Sequence, residues 1–295
     1  MKKFVILIPI YNDWKSLFQL LKNIDALIVN WNANVSILAI NDSSTEEMPA
    51  VEFNFMNIKM VRIINMKLNQ GHARCNATGL KYLTEKEDFD YAILMDGDGE
   101  DRPEELTSLF HKSRENPTKT VTANRVKRSE GPFFNFLYHC HKILTFVFTG
   151  KLIKFGNFSC LPKEHVKKLI QEACIWSSFS GSVTKIISDR VSISSIRGQR
   201  YFGPSKMNFF NLLIHSFAII AVFKGNVIFR SILFLVFYLF FISGNFFIIP
   251  LLPVFFILIF LFSILKISAR ENIKELNRAL EGIHTIDILS SSNSR

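Results

Sequence analysis

The chain has 295 residues, enough for one large domain or two modest ones, with a formal charge of +10 and 48% hydrophobic residues, 30 of them Phe. The apolar excess gathers between Phe209 and Ile267, which directs the positive charge toward an anionic lipid surface; no motif interleaves basic and aromatic side chains as a nucleic-acid site would. Cys75, Cys140, Cys160 and Cys174 form no C-x-x-C pair, which argues against zinc and for free thiols in a reducing compartment.

Met1-Lys2-Lys3 and the apolar run Phe4 to Ile8 look like a secretory start. Pro9 ends the run after about five residues, too few for a signal h-region, so the run reads as a first strand and the soluble part as cytoplasmic. Pro9-Ile10-Tyr11-Asn12-Asp13 makes a turn, and Leu17, Leu20, Leu21, Ile24 and Leu27 then recur at helical spacing from Trp14 to Ile28. Val35 to Ile40 is a second strand that runs into Asn41-Asp42-Ser43-Ser44. Met60 to Ile64 is a third, followed by a loop opening a helix from Asn69 to Leu80. Tyr91 to Met95 is the fourth and Thr118 to Ala123 the fifth. Strands alternating with helices predict an α/β fold with a parallel sheet.

The fourth strand ends in Asp96-Gly97-Asp98-Gly99-Glu100-Asp101-Arg102-Pro103-Glu104. Residues i and i+2 of an extended segment point the same way, so Asp96 and Asp98 can face one point where parallel sheets bind ligands. Hard divalent cations such as Mg²⁺ or Mn²⁺ take one or two carboxylates plus substrate phosphates. Alone, the triplet reads more readily as a solvated acidic loop, and each polar strand end more readily as turn chemistry. Three such ends on successive strands mark one functional edge.

In these segments the chain resembles the family 2 glycosyltransferases of GT-A fold, in their polyprenyl-phosphate branch of dolichyl-phosphate mannose synthases and bactoprenol glucosyltransferases. The resemblance rests on Ile8-Pro9-Ile10-Tyr11-Asn12-Asp13 (family v-P-x-Y-N-E), Asn41-Asp42-Ser43-Ser44 (D-D-x-S), Asn69 to Gly79 (N-x-G-x-x-x-A-x-x-x-G) and Asp96 to Glu104 (D-A-D-L-Q-D-P-P-E). Asn124-Arg125-Val126-Lys127-Arg128 follows G-x-R-x-x-R, and Arg200 to Lys206 follows R-x-x-G-x-S-K. Asp13, Asn41 and Glu100 depart from the pattern but keep an oxygen.

The resemblance implies that Pro9, Tyr11, Asp13, Asp42 and Asp96 bind the nucleotide, a uridine or guanosine diphosphate. Asp96, Asp98 and Glu100 would hold Mg²⁺ or Mn²⁺. Asp98, Arg125 and Arg128 would be catalytic, and Arg125, Arg128, Arg200 and Lys206 would bind the acceptor phosphate, although each cation singly also reads as solvated basic surface. Asp101, Pro103 and Glu104 read as a helix start. Asn157-Phe158-Ser159-Cys160 falls where the family has its acceptor-side loop. Family members that glycosylate a hydroxyl carry a carboxylate base, and Ala173 to Ser182 has none. A phosphate acceptor is already anionic and needs cations only.

Val227 to Gly244 and Phe246 to Lys266 are each near the length that spans a bilayer. Lys and Arg at both outer ends place those ends inside. Phe209 to Phe223, broken by Asn211, His215 and Ser216, reads as an interfacial helix, with a third span as the alternative. The tail from Ala269 reads as helical and then, over Ser290 to Ser294, as disordered. The expected organisation is a cytoplasmic GT-A domain over 1–206, an interfacial helix over 207–225, two transmembrane helices over 226–267 and a cytoplasmic tail over 268–295. The expected function is metal-dependent, inverting sugar transfer from a nucleotide-sugar donor to a polyprenyl phosphate at the inner membrane. The alternatives are a hydroxyl acceptor on the same fold and a catalytically silent membrane scaffold. The partners are then the donor, the lipid phosphate and the bilayer, with a homo-oligomer left open.

Overall fold

In the computed structural model the chain is described over residues 1–51, 54–127, 132–204, 209–243 and 248–291. The strands are β1 (Lys2–Ile10), β2 (Ala33–Asn41), β3 (Ile58–Met66), β4 (Tyr91–Leu94), β5 (Thr120–Lys127), β6 (Phe155–Pro162), β7 (Arg190–Ile196) and β8 (Ile283–Ser291). They form one eight-stranded sheet in the order β7-β5-β6-β4-β1-β2-β3-β8. β1 lies parallel to β2 and β4, β2 to β3, and β5 to β7, whereas β6 runs antiparallel to both β4 and β5 and β8 antiparallel to β3. The sheet is therefore mixed and mostly parallel.

The centre of the sheet follows from its apolar runs. Every residue of β1 from Phe4 to Ile10 is buried, as expected of a strand covered on both faces. The helices α1 (Trp14–Leu27), α2 (His72–Lys86), α3 (Leu106–Glu115), α4 (Pro132–Thr149), α5 (Lys163–Leu169) and α6 (Phe179–Ile186) fill the connections. α1 and α3 cover one face together with Trp31, whose ring stacks on Phe110 with centroids 4.1 Å apart. α2, α5 and α6 cover the other. α2 lies close on the sheet because Gly79 has no side chain: a Cβ there would stand 2.3 Å from Leu7 Cδ1.

At the carboxyl edge the polar strand ends bond to one another. The Asn12 amide donates to Ser44 Oγ at 2.8 Å, and Asn12 Oδ1 accepts from Thr45 N at 2.8 Å. Asn41 Nδ2 donates to Asn65 Oδ1 at 2.8 Å, and Asn65 Nδ2 reaches Asp287 Oδ2 at 2.6 Å, so a polar ladder crosses β2, β3 and β8.

Three expectations need correction. Phe155 to Pro162 is a central strand, so Asn157 sits on β6 and not on a loop. Pro103 does open a helical turn, over Pro103–Glu105, but Asp101 is 3% exposed and points inward, because Arg125 and the Asp96 amide lie behind it. The tail is also more ordered than its composition indicates. After α10 (Ile273–Asn277) it forms β8, which includes Ser290 and Ser291. The unpaired N–H and C=O groups of the β3 edge supply the reason, since an open edge recruits a strand.

Between β7 and that tail lie α7 (Phe209–Ala221), α8 (Lys224–Ile242) and α9 (Ile248–Ser268). α8 and α9, with 19 and 21 residues, rise about 30 Å each, and among the described residues two helices are long and apolar enough to cross a membrane. Their apolar side chains point outward, Phe240 and Phe241 being 80% and 86% exposed. Ile220, Val227 and Ile264 bury one another where α7, α8 and α9 meet. Asn226 Nδ2 and the Arg230 guanidinium donate to the last carbonyls of α4, to Thr149 O at 3.0 Å and Val147 O at 2.8 Å. α4 itself exposes Ile143, Phe146 and Val147, a second apolar-faced helix beside α7 that was not singled out in the sequence.

Candidate functional site

The carboxyl ends of β1 and β4 frame a cavity of about 270 Å³ lined by Pro9, Tyr11, Asp13, His72, Asp96, Asp98, Glu100, Arg197 and Arg200. Seven of these are residues singled out in the sequence, and they converge because β1 and β4 are neighbours in parallel register. The chain turns sharply after β4. Gly99 has φ +89°, a conformation that favours glycine, and a Cβ there would come within 2.7 Å of the Tyr201 ring.

Tyr201 belongs to a strap, residues 197–204, that crosses the acidic turn. Gly198 N donates to Glu100 O at 2.8 Å, Tyr201 N to Asp98 O at 2.9 Å, and Asn23 Nδ2 of α1 to the Tyr201 hydroxyl at 2.9 Å. The strap delivers two guanidiniums. Arg197 pairs with Glu100, and Arg200 bridges Asp98 Oδ2, at 2.7 Å, and Asp13. On the opposite wall Asn157 Nδ2 lies 3.2 Å from Asp96 Oδ1 and 2.8 Å from His72 Nε2, and His72 Nε2 is 3.3 Å from Asp96 Oδ1.

Burial drives the electrostatics. Burial, reinforced by Asp96 and Glu100, pushes the Asp98 carboxyl up to about 6 even with Arg200 beside it. Burial and the charge of Asp96 push Asp101 up to about 7. Asp96 moves the other way: burial works against its charge, but His72, Arg125 and Asn157 outweigh it and hold the carboxyl below the usual range. Burial also opposes the charge of Arg125, and Asp101, Asp96 and Glu100 more than compensate.

Other candidates stand elsewhere. Asp42 does not line the cavity: it is 4% exposed, and its two oxygens accept from Gln70 N and Gly71 N, each at 2.8 Å. Arg125 lies behind the acidic turn, 3.4 Å from Asp101 and packed over Gly156. Arg128 and Lys206 fall outside the described residues. His72 and Arg197 were missed. His72 had a signal, its place directly after Gly71 in the N-x-G motif; Arg197 has none in sequence.

The donor set suits a hard divalent cation in part. Asp96 and Asp98 present oxygens to one cavity, and Asp98 is buried beside Asp96 and Glu100, a crowding of carboxylates that a cation would relieve. Glu100 is engaged by Arg197, and among the described residues no three His, Cys, Asp or Glu side chains gather as a ready cluster. The remaining ligand positions would fall to a diphosphate.

A family model, Glycosyl transferase family 2, matches residues 5–211. The chain belongs to that family. The chain is 25% identical over 218 residues to an undecaprenyl-phosphate 4-deoxy-4-formamido-L-arabinose transferase of Klebsiella pneumoniae, a match covering 72% of this chain and 64% of the relative. It thus spans under two thirds of that relative's length. Among solved structures, mannosyl-3-phosphoglycerate synthase from Rubrobacter xylanophilus aligns with a TM-score of 0.53 at 12% identity, over 75% of this chain and 72% of that one. Glucosyl-3-phosphoglycerate synthase from Mycobacterium tuberculosis, solved with Mn²⁺, UDP-glucose and phosphoglyceric acid, aligns at 0.51 and 10% identity, over 77% of this chain and 80% of that one. At such identities the likeness establishes the shared GT-A fold.

Proposed function

We propose that this glycosyltransferase moves a sugar from a nucleoside diphosphate to a polyprenyl phosphate at the cytoplasmic membrane face, inverting the anomeric centre. Support comes from one observation. Each carboxylate lining the cavity already has a partner: Asp13 and Asp98 have Arg200, Glu100 has Arg197, and Asp96 has His72 and Asn157. None of them stands ready to deprotonate a hydroxyl, whereas a phosphate attacks with its own charge and requires only cations to hold it.

In this reading Pro9, Tyr11 and Asp13 form the base-side wall, and Asp96 and Asp98 hold Mg²⁺ or Mn²⁺ against the diphosphate, with Glu100 behind. Bound there, the ion neutralises charge on the departing diphosphate. Asp101 keeps Asp96 in place through the Asp96 amide, and Arg125 keeps Asp101. Arg200, with Arg128 and Lys206, receives the acceptor, while Arg125, read from the sequence as an acceptor contact, stays behind the turn with Asp101. One acceptor oxygen bonds to the sugar C1 from the face opposite the diphosphate as the C1–O bond breaks, and the nucleoside diphosphate takes the electron pair.

α8 and α9 would cross the bilayer as a hairpin, with α7 on its surface. β8 returns to the catalytic sheet after the hairpin, which supports placing both of its ends on the catalytic side. The catalytic unit would then comprise residues 1–206 together with the returning strand.

The test incubates detergent-solubilised protein with undecaprenyl phosphate, Mn²⁺ and a panel of UDP- and GDP-sugars. The expected result is nucleoside diphosphate release that needs both the lipid and one donor, with a mild-acid-labile sugar phosphate as product. Release without lipid dependence, or an acid-stable glycoside, would refute the phosphate acceptor.

A further inference from the structure

Arg200 occupies an unusual place. Its side chain is 13% exposed, yet it does not sit behind the carboxylates as Arg125 does: it lies inside the cavity and bridges Asp98 and Asp13. The Asp98 oxygen it holds is one that a divalent cation would require. The geometry points to Arg200 as the resident cation of the donor site, which a divalent ion displaces and thereby frees for the acceptor phosphate. This rests on the metal and acceptor assignments proposed above.

Two cations cannot share Asp98 Oδ2 without strong repulsion in a buried site. Displacement does not require the strap to move. The backbone of the strap stays tied by Gly198 N to Glu100 O and by Tyr201 N to Asp98 O, and the Tyr201 ring is pinned on Gly99 with its hydroxyl on Asn23. Arg197 has its own partner in Glu100. Only the Arg200 side chain has to swing, and Asp13 gives it a second carboxylate to pivot on. Asp13 is then a positioning residue for Arg200 and not solely part of the base-side wall. Because binding free energies are reciprocal, an ion that weakens the Arg200–Asp98 bond must itself be weakened by it.

The test measures Mn²⁺ binding by water-proton relaxation on the full detergent-solubilised chain, without nucleotide, in wild type, Arg200→Gln, Arg200→Lys and Asp98→Asn. Removing the resident cation should tighten Mn²⁺ binding by about tenfold in Arg200→Gln, within the usual range of coupling factors. Arg200→Lys keeps the charge but lacks the fork that spans two carboxylates, so it should fall between; it also serves if the Gln variant folds poorly. In wild type, Mn²⁺ with UDP or GDP should strengthen binding of farnesyl phosphate, and in Arg200→Gln that enhancement should vanish. Unchanged or weaker Mn²⁺ binding in both Arg200 variants, with Asp98→Asn abolishing it, would overturn the displacement while leaving the metal site standing. Wild-type Mn²⁺ affinity in Asp98→Asn would overturn both.

Discussion

Asp42 separates two accounts of one residue. The family resemblance makes it a nucleotide contact, whereas the structure turns both of its oxygens onto the chain, accepting from Gln70 N and Gly71 N at 2.8 Å each in a site 4% exposed. These bonds clamp the carboxyl end of β2 to the turn that launches α2, where Gly71 has φ +90°. Asp42→Ala leaves two amides without acceptors. A bond to a charged group contributes about 1.5–3 kcal/mol, and because Gln70 and Gly71 are only half-buried, water recovers some of it, for a combined loss of about 2–4 kcal/mol. For a domain of this size that lowers Tm by roughly 5–15 °C. Asp42→Asn keeps one acceptor but faces the other amide with an NH₂ group, so it should lose nearly as much. The assay is thermal unfolding of the solubilised protein, with UDP and GDP binding followed by calorimetry below Tm. Nucleotide affinity should fall only as far as the folded fraction does. A variant with wild-type Tm and collapsed nucleotide affinity would refute the clamp.

Gly79→Val should destabilise by about 1–3 kcal/mol or more, because its first carbon already meets Leu7 Cδ1 at 2.3 Å and Ile40 Cγ1 at 3.2 Å; a Tm equal to wild type would contradict the packing of α2 on β1. Asp98→Asn should lower kcat by at least about a hundredfold, the scale of losing one electrostatic stabiliser, while Tm holds or rises; full activity in Mn²⁺ would sink the metal assignment. Removing residues 283–291 strips β8 from β3 and should cause concentration-dependent aggregation through the bared edge, read by light scattering. A monodisperse, fully active truncation would show that β8 is dispensable.

Five strands were legible because β1 to β4 carry apolar runs and β5 opens on the β-branched Thr120-Val121-Thr122, each bounded by turn chemistry. β6 was not: Gly156, Asn157 and Ser159 interrupt its apolar residues, and what holds it is pairing on both sides, which one segment does not display. β7 alternates Ser with Val and Ile under partial exposure, a pattern shared with loops. β8 depends on the open edge of β3, a property of a distant segment. At the site the same division holds. Pro9, Tyr11, Asp13, Asp96, Asp98, Glu100 and Arg200 were readable as residue types at strand ends and in motifs, and they meet in one cavity. What their oxygens accept was not readable. Asp42 and Asp101 are carboxylates like Asp98, yet one holds a backbone turn and the other a buried arginine.

The return of β8 also sets a timetable for synthesis. Asn65 and its partner Thr285 lie 220 residues apart in the chain. At about 5–20 residues per second, β3 waits roughly 10–45 s with one edge bare, and α8 and α9 emerge within that interval. The last strand of the sheet can dock only after α8 and α9 have been made. Completion of the sheet is tied to synthesis of both apolar helices, and protease sensitivity of β3 in ribosome-arrested chains should persist until residue 291 has cleared the exit tunnel.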